Sequence, residues 1–168
     1  MDPPSKPLDA CKLLTPADIE KIQGSAPVAK RASSNDDGNL TSSQCFFSLS
    51  PFSQSISLDV MQQAGGDKVN VRDFWKEKFS GQDDTSDVEH DSAGKRRTGR
   101  EKEERRPSRR VPGVGEAAYW IYSGHDGAIY ALQGSYLLRV GVGGTGDEQA
   151  KMQRASELAH AALRQLPR

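Results

Sequence analysis

The sequence predicts an α+β fold, an antiparallel sheet of about five strands with helices packed on it, interrupted by a charged insertion. Three observations predict this class. Residues 55–61 alternate apolar and polar side chains, which is typical of a half-buried antiparallel strand. Three apolar runs between 117 and 142 are separated by short turns. Residues 147–166 carry an apolar stripe at helical spacing.

The first predicted element is a short helix with clear boundaries. Thr15 is expected to cap it, Pro16 to take its first position, and Asp18 to complete a capping box. Gly24 is expected to end it after about two turns.

A loop, a hairpin and a second helix are predicted to follow. Residues 25–43 are rich in Ser, Asn, Asp and Gly and are expected to form a loop, with one poor edge strand near Val28. The hairpin strands are expected at 45–49 and 55–61. The second helix, at 71–79, has an apolar stripe and is preceded by a capping asparagine.

Residues 81–110 differ in composition from the rest of the chain. An acidic run is followed by nine lysines and arginines between 95 and 110, and Val88 is the only large apolar residue. Such a segment buries too little surface to offset its ordering entropy, so we predict a disordered insertion. The predicted divisions are therefore a tether at 1–8, the two halves of a single domain at 9–80 and 111–168, and the insertion at 81–110.

The second half of the predicted domain is a strand meander closed by a helix. Strands are expected at 117–122, 128–132 and 136–142. The connections between them are too short for a crossover, so the three strands are expected to form an antiparallel meander. The helix at 147–166 is expected to lie across the sheet.

Length and charge limit the classes of function. The chain has 168 residues, of which 35% are hydrophobic and 27% charged, and its formal net charge is zero. A net charge of zero indicates no overall field that would attract nucleic acid or a membrane surface. No apolar stretch approaches the roughly 18 residues of a membrane-spanning helix, so we expect no transmembrane segment.

Cys11 and Cys45 are the only cysteines, and each lies at the edge of a predicted element. Either they form the one possible intrachain disulfide, or they stay reduced and buried as small hydrophobic residues. The start of the chain also leaves two alternatives. Met1 either begins a cytoplasmic protein or follows a secretory signal that has been removed.

Motifs in both halves of the chain carry a family resemblance. They are Asp9-Ala10-Cys11-Lys12-Leu13-Leu14 and Ser43–Phe46, then Val111–Gly115, Ala118–Trp120, Gly127–Leu132 and Leu138–Val140. Together they resemble a group of uncharacterised bacterial envelope proteins, many of them lipoproteins. The resemblance implies an α/β/α sandwich similar to the Mog1/PsbP type, a location in the periplasm or cell envelope, and a disulfide between Cys11 and Cys45. None of these motifs is catalytic.

Patterns typical of catalysis or cofactor binding are incomplete in this sequence. Residues 141–146 satisfy G-x-G-x-x-G, but a dinucleotide site needs a following parallel strand, and here only a helix follows. His125 and Asp126 share a predicted turn without further residues at metal-ligand spacing. No serine lies in a G-x-S-x-G elbow. The sequence therefore predicts no enzyme, no cofactor and no metal site.

Aromatic side chains supply the first candidate binding surface. Alternation along residues 117–122 places Trp120 and Tyr122 on one face of the sheet and Tyr119 on the other. Core packing is the default role for such rings. The alternative is a ligand surface formed by Trp120, Tyr122 and Tyr130.

The basic run supplies the second candidate, for polyanions. Its cations include Lys95, Arg96, Arg97, Arg100, Arg105, Arg106, Arg109 and Arg110. No aromatic side chain is interleaved for base stacking, so a solvated linker is the default and nucleic acid is not favoured as a partner. We expect a non-enzymatic, extracytoplasmic domain that binds a protein or a small ligand, with polyanion binding through 95–110 as the alternative.

Overall fold

The computed structural model describes residues 8–36, 40–63, 70–79 and 108–167. The helices in these ranges are α1 (Pro16–Gln23), α2 (Val71–Phe79) and α3 (Glu148–Arg164). The strands are β1 (Ala29–Asp36), β2 (Leu40–Ser48), β3 (Ile56–Gln63), β4 (Ser108–Arg110), β5 (Ala117–Tyr122), β6 (Gly127–Gln133) and β7 (Tyr136–Val142). Short 3₁₀ turns lie at Ala10–Lys12 and Phe52–Gln54.

All the strands of the described residues belong to one antiparallel sheet, in the order β1-β2-β3-β7-β6-β5-β4. The β3–β7 pair joins the strands of the first half of the chain to those of the second half. The predicted α+β class is confirmed. The prediction of about five strands is wrong, because the sheet contains seven, and the two additional strands form its edges.

Strand β1 lies within residues 25–43, where the sequence predicts a loop with one poor edge strand near Val28, and it is longer than that prediction implies. All eight of its residues are exposed, so its sequence carries no apolar alternation. Its backbone pairs with β2 from Ala29 opposite Ser48 to Asp36 opposite Thr41. Main-chain hydrogen bonding at a sheet edge forms this strand, and hydrophobic periodicity therefore gives no signal of it.

Strand β4 forms the opposite edge and lies at the end of the segment predicted to be disordered. Ser108–Arg110 pair with Tyr119–Ile121 of β5. A strand of three residues is too short for alternation to be recognised in its sequence. The rest of the predicted insertion and residues 1–7 of the predicted tether lie outside the described residues.

Side-chain caps account for the helix boundaries that the sequence predicts. The Thr15 hydroxyl accepts a hydrogen bond from the Asp18 amide at 3.0 Å, and the Asp18 carboxylate accepts one from the Thr15 amide at 3.2 Å. This confirms the predicted capping box. Gly24 ends α1 in the left-handed region, with φ 92°. The Asn70 side chain caps α2 by accepting a hydrogen bond from the Asp73 amide at 2.7 Å.

The larger core lies between one face of the sheet, here called the covered face, and helices α1 and α3. Its sheet side chains include Cys45, Phe47, Ile56, Leu58, Val60, Trp120, Ile129, Leu138 and Val140. Ile19 of α1 and Leu158 of α3 pack against them. A disulfide between Cys11 and Cys45, with an S–S distance of 2.07 Å, joins the Ala10–Lys12 turn to β2.

Helix α2 packs on the opposite face of the sheet, at one end of it. Its buried side chains Val71, Trp75 and Phe79 form a second, smaller core with Tyr119 and Leu137. The helices therefore lie on both sides of the sheet, in three layers. None of the described helices is long and apolar enough to span a membrane.

Candidate functional site

The part of the sheet beside α2 forms an open face, on which lies a cleft of about 410 Å³. Strands β3, β5, β6 and β7 form its floor, and the Phe52–Gln54 turn forms part of its rim. Its lining includes Phe46, Ile121, Arg139 and four serines. This volume is within the range of roughly 300–1,000 Å³ that small-molecule sites occupy, and its mixture of apolar and polar groups is typical of them.

Two phenylalanines stand together at the rim of this cleft. Phe46 is 37% exposed and Phe52 is 70% exposed, and their ring centroids are 5.8 Å apart. Within the described ranges, the only other large hydrophobic side chain with comparable exposure is Val28, which does not line the cleft. Exposed aromatic pairs of this kind mark contact surfaces, because apolar area left in water gains free energy when a partner covers it.

Arg139 lies at the base of the cleft, on β7. Its Nε donates a hydrogen bond to the Tyr130 hydroxyl at 3.2 Å, and its Nη1 donates to the Ser57 hydroxyl at 3.1 Å and to Asp59 Oδ2 at 3.3 Å. Among the described residues, Nη2 has no hydrogen-bond partner. The guanidinium is therefore held in one orientation by its neighbours on β3 and β6, while part of its donor capacity is unused.

Gly141 makes room for this arrangement. A Cβ atom at position 141 would lie 2.5 Å from the Ser57 hydroxyl and 3.1 Å from Nη1 of Arg139. Because glycine has no side chain, the guanidinium and the hydroxyl can occupy the space above the strand. Gly141 is thus part of the geometry that keeps Arg139 in the cleft.

Tyr130 lies close to two cations. Lys78 of α2 lies with its Nζ 4.7 Å from the Tyr130 ring centroid, and the Arg139 guanidinium carbon lies 5.7 Å from the same centroid. Lys78, Tyr130 and Arg139 also line a smaller hollow of about 170 Å³. The cation–π contacts and the hydrogen bond from Arg139 orient the tyrosine ring between the two cavities.

Asp59 is the acidic partner of Arg139. Burial raises the pKa of the Asp59 carboxyl above its ordinary value, although the positive charge of Arg139 and its hydrogen bond oppose that change. The effect of burial on the pKa of Asp59 is thus larger than the opposing effect of Arg139. The Asp59–Arg139 pair leaves Arg139 available to a second anion, because Asp59 is a single contact at 3.3 Å rather than a bidentate partner.

Trp120 and Tyr122 lie on the covered face, away from the cleft. Trp120 is 1% exposed, and its indole nitrogen donates a hydrogen bond to Glu148 of α3 at 3.0 Å. Tyr122 stacks on Trp120, with ring centroids 6.2 Å apart, and its hydroxyl donates to the Gly124 carbonyl. Both rings therefore have the structural role that is the default for alternating aromatic residues in a strand.

Of the three aromatic residues proposed as a ligand surface, only Tyr130 lines the cleft. Tyr130 is separated from the stacked pair Trp120 and Tyr122, because it lies on the opposite side of the sheet. Sequence reasoning missed Arg139. The signal for it was present, since a charged residue between Leu138 and Val140 interrupts an otherwise apolar strand.

The remaining sequence candidates are spread over other parts of the chain. Arg109 and Arg110 are exposed on the edge strand β4. The other cations of the predicted polyanion site, Lys95, Arg96, Arg97, Arg100, Arg105 and Arg106, lie outside the described residues. His125 is exposed in the turn between β5 and β6, where its carbonyl accepts a hydrogen bond from Lys151 at 2.8 Å.

The glycine-rich sequence at 141–146 connects β7 to α3. Gly141 and Gly143 line the cleft, and Arg154 of α3 holds the connection by donating to the Thr145 carbonyl at 2.7 Å. A Cβ atom at Gly143 would lie 2.6 Å from the Asp126 carboxylate. These glycines allow close approach of side chains, which agrees with their interpretation as a strand-to-helix connection.

Comparison with known proteins adds no relative from which a role could be transferred. No protein-family model matches this chain, and a search of curated proteins finds no match. The open face itself, with its aromatic rim, its arginine and its volume, is therefore the basis for assigning a role.

Proposed function

We propose that this chain is a non-enzymatic, extracytoplasmic binding domain that holds a small ligand in the cleft of its open face. The observation that carries the proposal is the convergence of three features at one place. A cleft of about 410 Å³, the exposed pair Phe46 and Phe52, and the partly buried Arg139 all belong to the same surface. An apolar rim with a few oriented polar groups is the usual composition of a small-molecule site.

The covalent structure supports the proposed location. Cys11 and Cys45 are joined in a disulfide, and stable disulfides are rare in reducing cytoplasm and common in secreted and envelope proteins. The resemblance to envelope proteins supports the same compartment and an α/β/α sandwich, and the three layers seen here are compatible with that architecture. The periplasm or cell envelope is therefore part of the proposal.

Substitution of Phe52 tests the cleft as a binding site. N-phenyl-1-naphthylamine, a neutral dye whose fluorescence rises in apolar surroundings, is expected to bind the wild-type protein. Phe52→Ala is expected to weaken that binding about threefold or more, because it removes the more exposed ring of the rim. Fluorescence titration of the purified variants measures the effect.

Val28→Ala is the matched control, because Val28 is as exposed as Phe52, at 71%, and lies outside the cleft. Its dye affinity is expected to equal that of the wild type. The proposal fails if the wild-type protein does not bind the dye. It also fails if the two substitutions weaken binding equally, because general surface hydrophobicity would then explain the signal.

Polyanion binding through residues 95–110 stays a prediction of the sequence alone. The described cations of that run are Arg109 and Arg110, which lie on β4 at the sheet edge rather than in the cleft. Ligand binding in the cleft and polyanion binding can be tested separately, because Phe52→Ala leaves these arginines in place.

A further inference from the structure

The cleft contains a cation whose own neighbours do not use all of its donors. Nε and Nη1 of Arg139 are hydrogen-bonded to Tyr130, Ser57 and Asp59, whereas Nη2 has no partner among the described residues. The side chain is 34% exposed, so the guanidinium is reachable from the cleft but partly removed from water. A charge in this setting binds an opposite charge more strongly than a fully solvated one does.

The charges around Arg139 favour an anion. Lys78 also lies close to the Tyr130 ring and has no ion pair among the described residues. Among the described residues, Asp59 is thus the one carboxylate that pairs with either of these two cations, and it pairs with Arg139. Asp59 lines the smaller hollow rather than the cleft, whereas the carboxylate that lines the cleft, Asp126, belongs to the turn between β5 and β6 at its rim. Hydroxyl groups of Ser55 and three other serines complete the polar lining.

The rest of the cleft is suited to an apolar body. Phe46, Phe52 and Ile121 line the same cavity as Arg139 and leave apolar area uncovered. A ligand that pairs with Arg139 and also covers these apolar side chains carries one negative head group and an apolar tail. Its size is limited by a volume of about 410 Å³, which suits a small molecule rather than a folded partner.

We propose that the ligand of this cleft is a small amphipathic carboxylate, whose head group pairs with Arg139 and whose apolar body lies against Phe46, Phe52 and Ile121. This assignment rests on the proposed function and names the class of ligand for the same site. The Ser57 and Tyr130 hydroxyls orient the arginine, and Gly141 provides the space in which its free Nη2 meets the carboxylate.

Competition against the bound dye tests the assignment with two probes of equal chain length. Decanoate is expected to displace N-phenyl-1-naphthylamine from the wild-type protein at a concentration about tenfold lower than 1-decanol, because only decanoate forms a charge-assisted hydrogen bond. Arg139→Met is expected to abolish this preference by weakening decanoate about tenfold while leaving decanol unchanged. Circular dichroism verifies that each variant is folded.

Three further variants separate a local effect from a general one. Asp59→Asn removes the anion that competes for Arg139, so decanoate is expected to bind about threefold tighter. Gly141→Ala keeps the arginine but displaces it, and the preference for decanoate is expected to fall. Arg110→Met removes an equal charge from the exposed strand β4 and is expected to change nothing.

The outcomes test separately whether the ligand is a carboxylate and whether the cleft is a binding site at all. If decanoate and decanol compete equally in the wild type and in Arg139→Met, the cleft binds apolar ligands and the carboxylate assignment is overturned. If neither competes and the dye does not bind, the proposed function fails as well. Sedimentation of the protein at assay concentrations adds one more outcome, because a dimer that decanoate does not dissociate would make a second copy the occupant and overturn the assignment.

Discussion

Replacing both Cys11 and Cys45 with alanine is expected to lower the free energy of unfolding by about 4 kcal/mol. The disulfide closes a loop with a sequence separation of 34, and without it the unfolded chain gains the entropy of that loop. The effect is large for a domain of this size, because the whole stability of such domains is on the order of 5–15 kcal/mol.

Removing the disulfide is also expected to affect the native structure, because the bond attaches the N-terminal turn to β2. Cys45 is 1% exposed in the larger core, and Cys11 belongs to the turn that contacts β2. Apart from the disulfide, that turn is held by a hydrogen bond from the Ala10 amide to the Ser43 hydroxyl at 2.9 Å. Without the covalent bond, the N-terminal turn depends on this contact and on its buried apolar side chains.

Urea unfolding in the presence and absence of a reductant measures the contribution of the disulfide. The wild-type protein is expected to lose about 4 kcal/mol when reduced, whereas the double alanine variant is expected to be insensitive to the reductant. Mass spectrometry of unreduced protein from its native cells, alkylated before lysis, checks that the bond forms there. Two alkylated cysteines, or equal stability of the oxidised and reduced proteins, would contradict the account.

Trp120→Ala is expected to be about as damaging, with a loss of roughly 3–5 kcal/mol in the free energy of unfolding. Among the described residues, Trp120 is the largest fully buried side chain, and it packs between the sheet and α3. Its removal leaves a cavity and also deprives Glu148 of the indole hydrogen bond at 3.0 Å. The dye affinity of the cleft per folded molecule is expected to be unchanged, because Trp120 lies on the covered face.

Gly127 supplies an independent test of this packing. A Cβ atom at position 127 would lie 2.2 Å from two atoms of the Trp120 indole, so Gly127→Ala is expected to destabilise the protein by about 1–3 kcal/mol. Trp120→Phe removes the part of the ring that would clash. In a double-mutant cycle the two substitutions together are therefore expected to cost less than the sum of their separate effects. Strict additivity would show that the two positions do not contact each other.

The elements predicted from the sequence are those whose pattern reflects burial or capping. The capping box of Thr15 and Asp18 locates α1, and the alternation at 55–61 locates β3, because each depends on interactions within a few residues. For strand β1 the sequence indicates only a poor edge strand near Val28 and not its length, because its eight exposed residues depend on main-chain pairing with β2. Edge strands of this kind have no apolar face from which a period could be read.

The candidate site was predicted only in part, for a related reason. Alternation correctly separated Trp120 from Tyr119 on the two faces of the sheet, but it contains no information on which face a helix covers. That depends on the packing of α3 and α2, which are distant in sequence. Tyr130 was recognised as a candidate and Arg139 was not. The orientation of Arg139 depends on Asp59 and Tyr130, which are opposite it on the neighbouring strands, and the sequence does not give that pairing register.

A two-dimensional ¹H–¹⁵N NMR titration of the wild-type protein with decanoate tests the central claim, that the open face is the binding surface. The largest chemical-shift changes are predicted at the backbone amides of Ser57, Tyr130 and Gly141, with the indole signal of Trp120 unaffected. Changes concentrated at the Trp120 indole and along α3, or no changes at all, would contradict the assignment of the ligand site to this cleft.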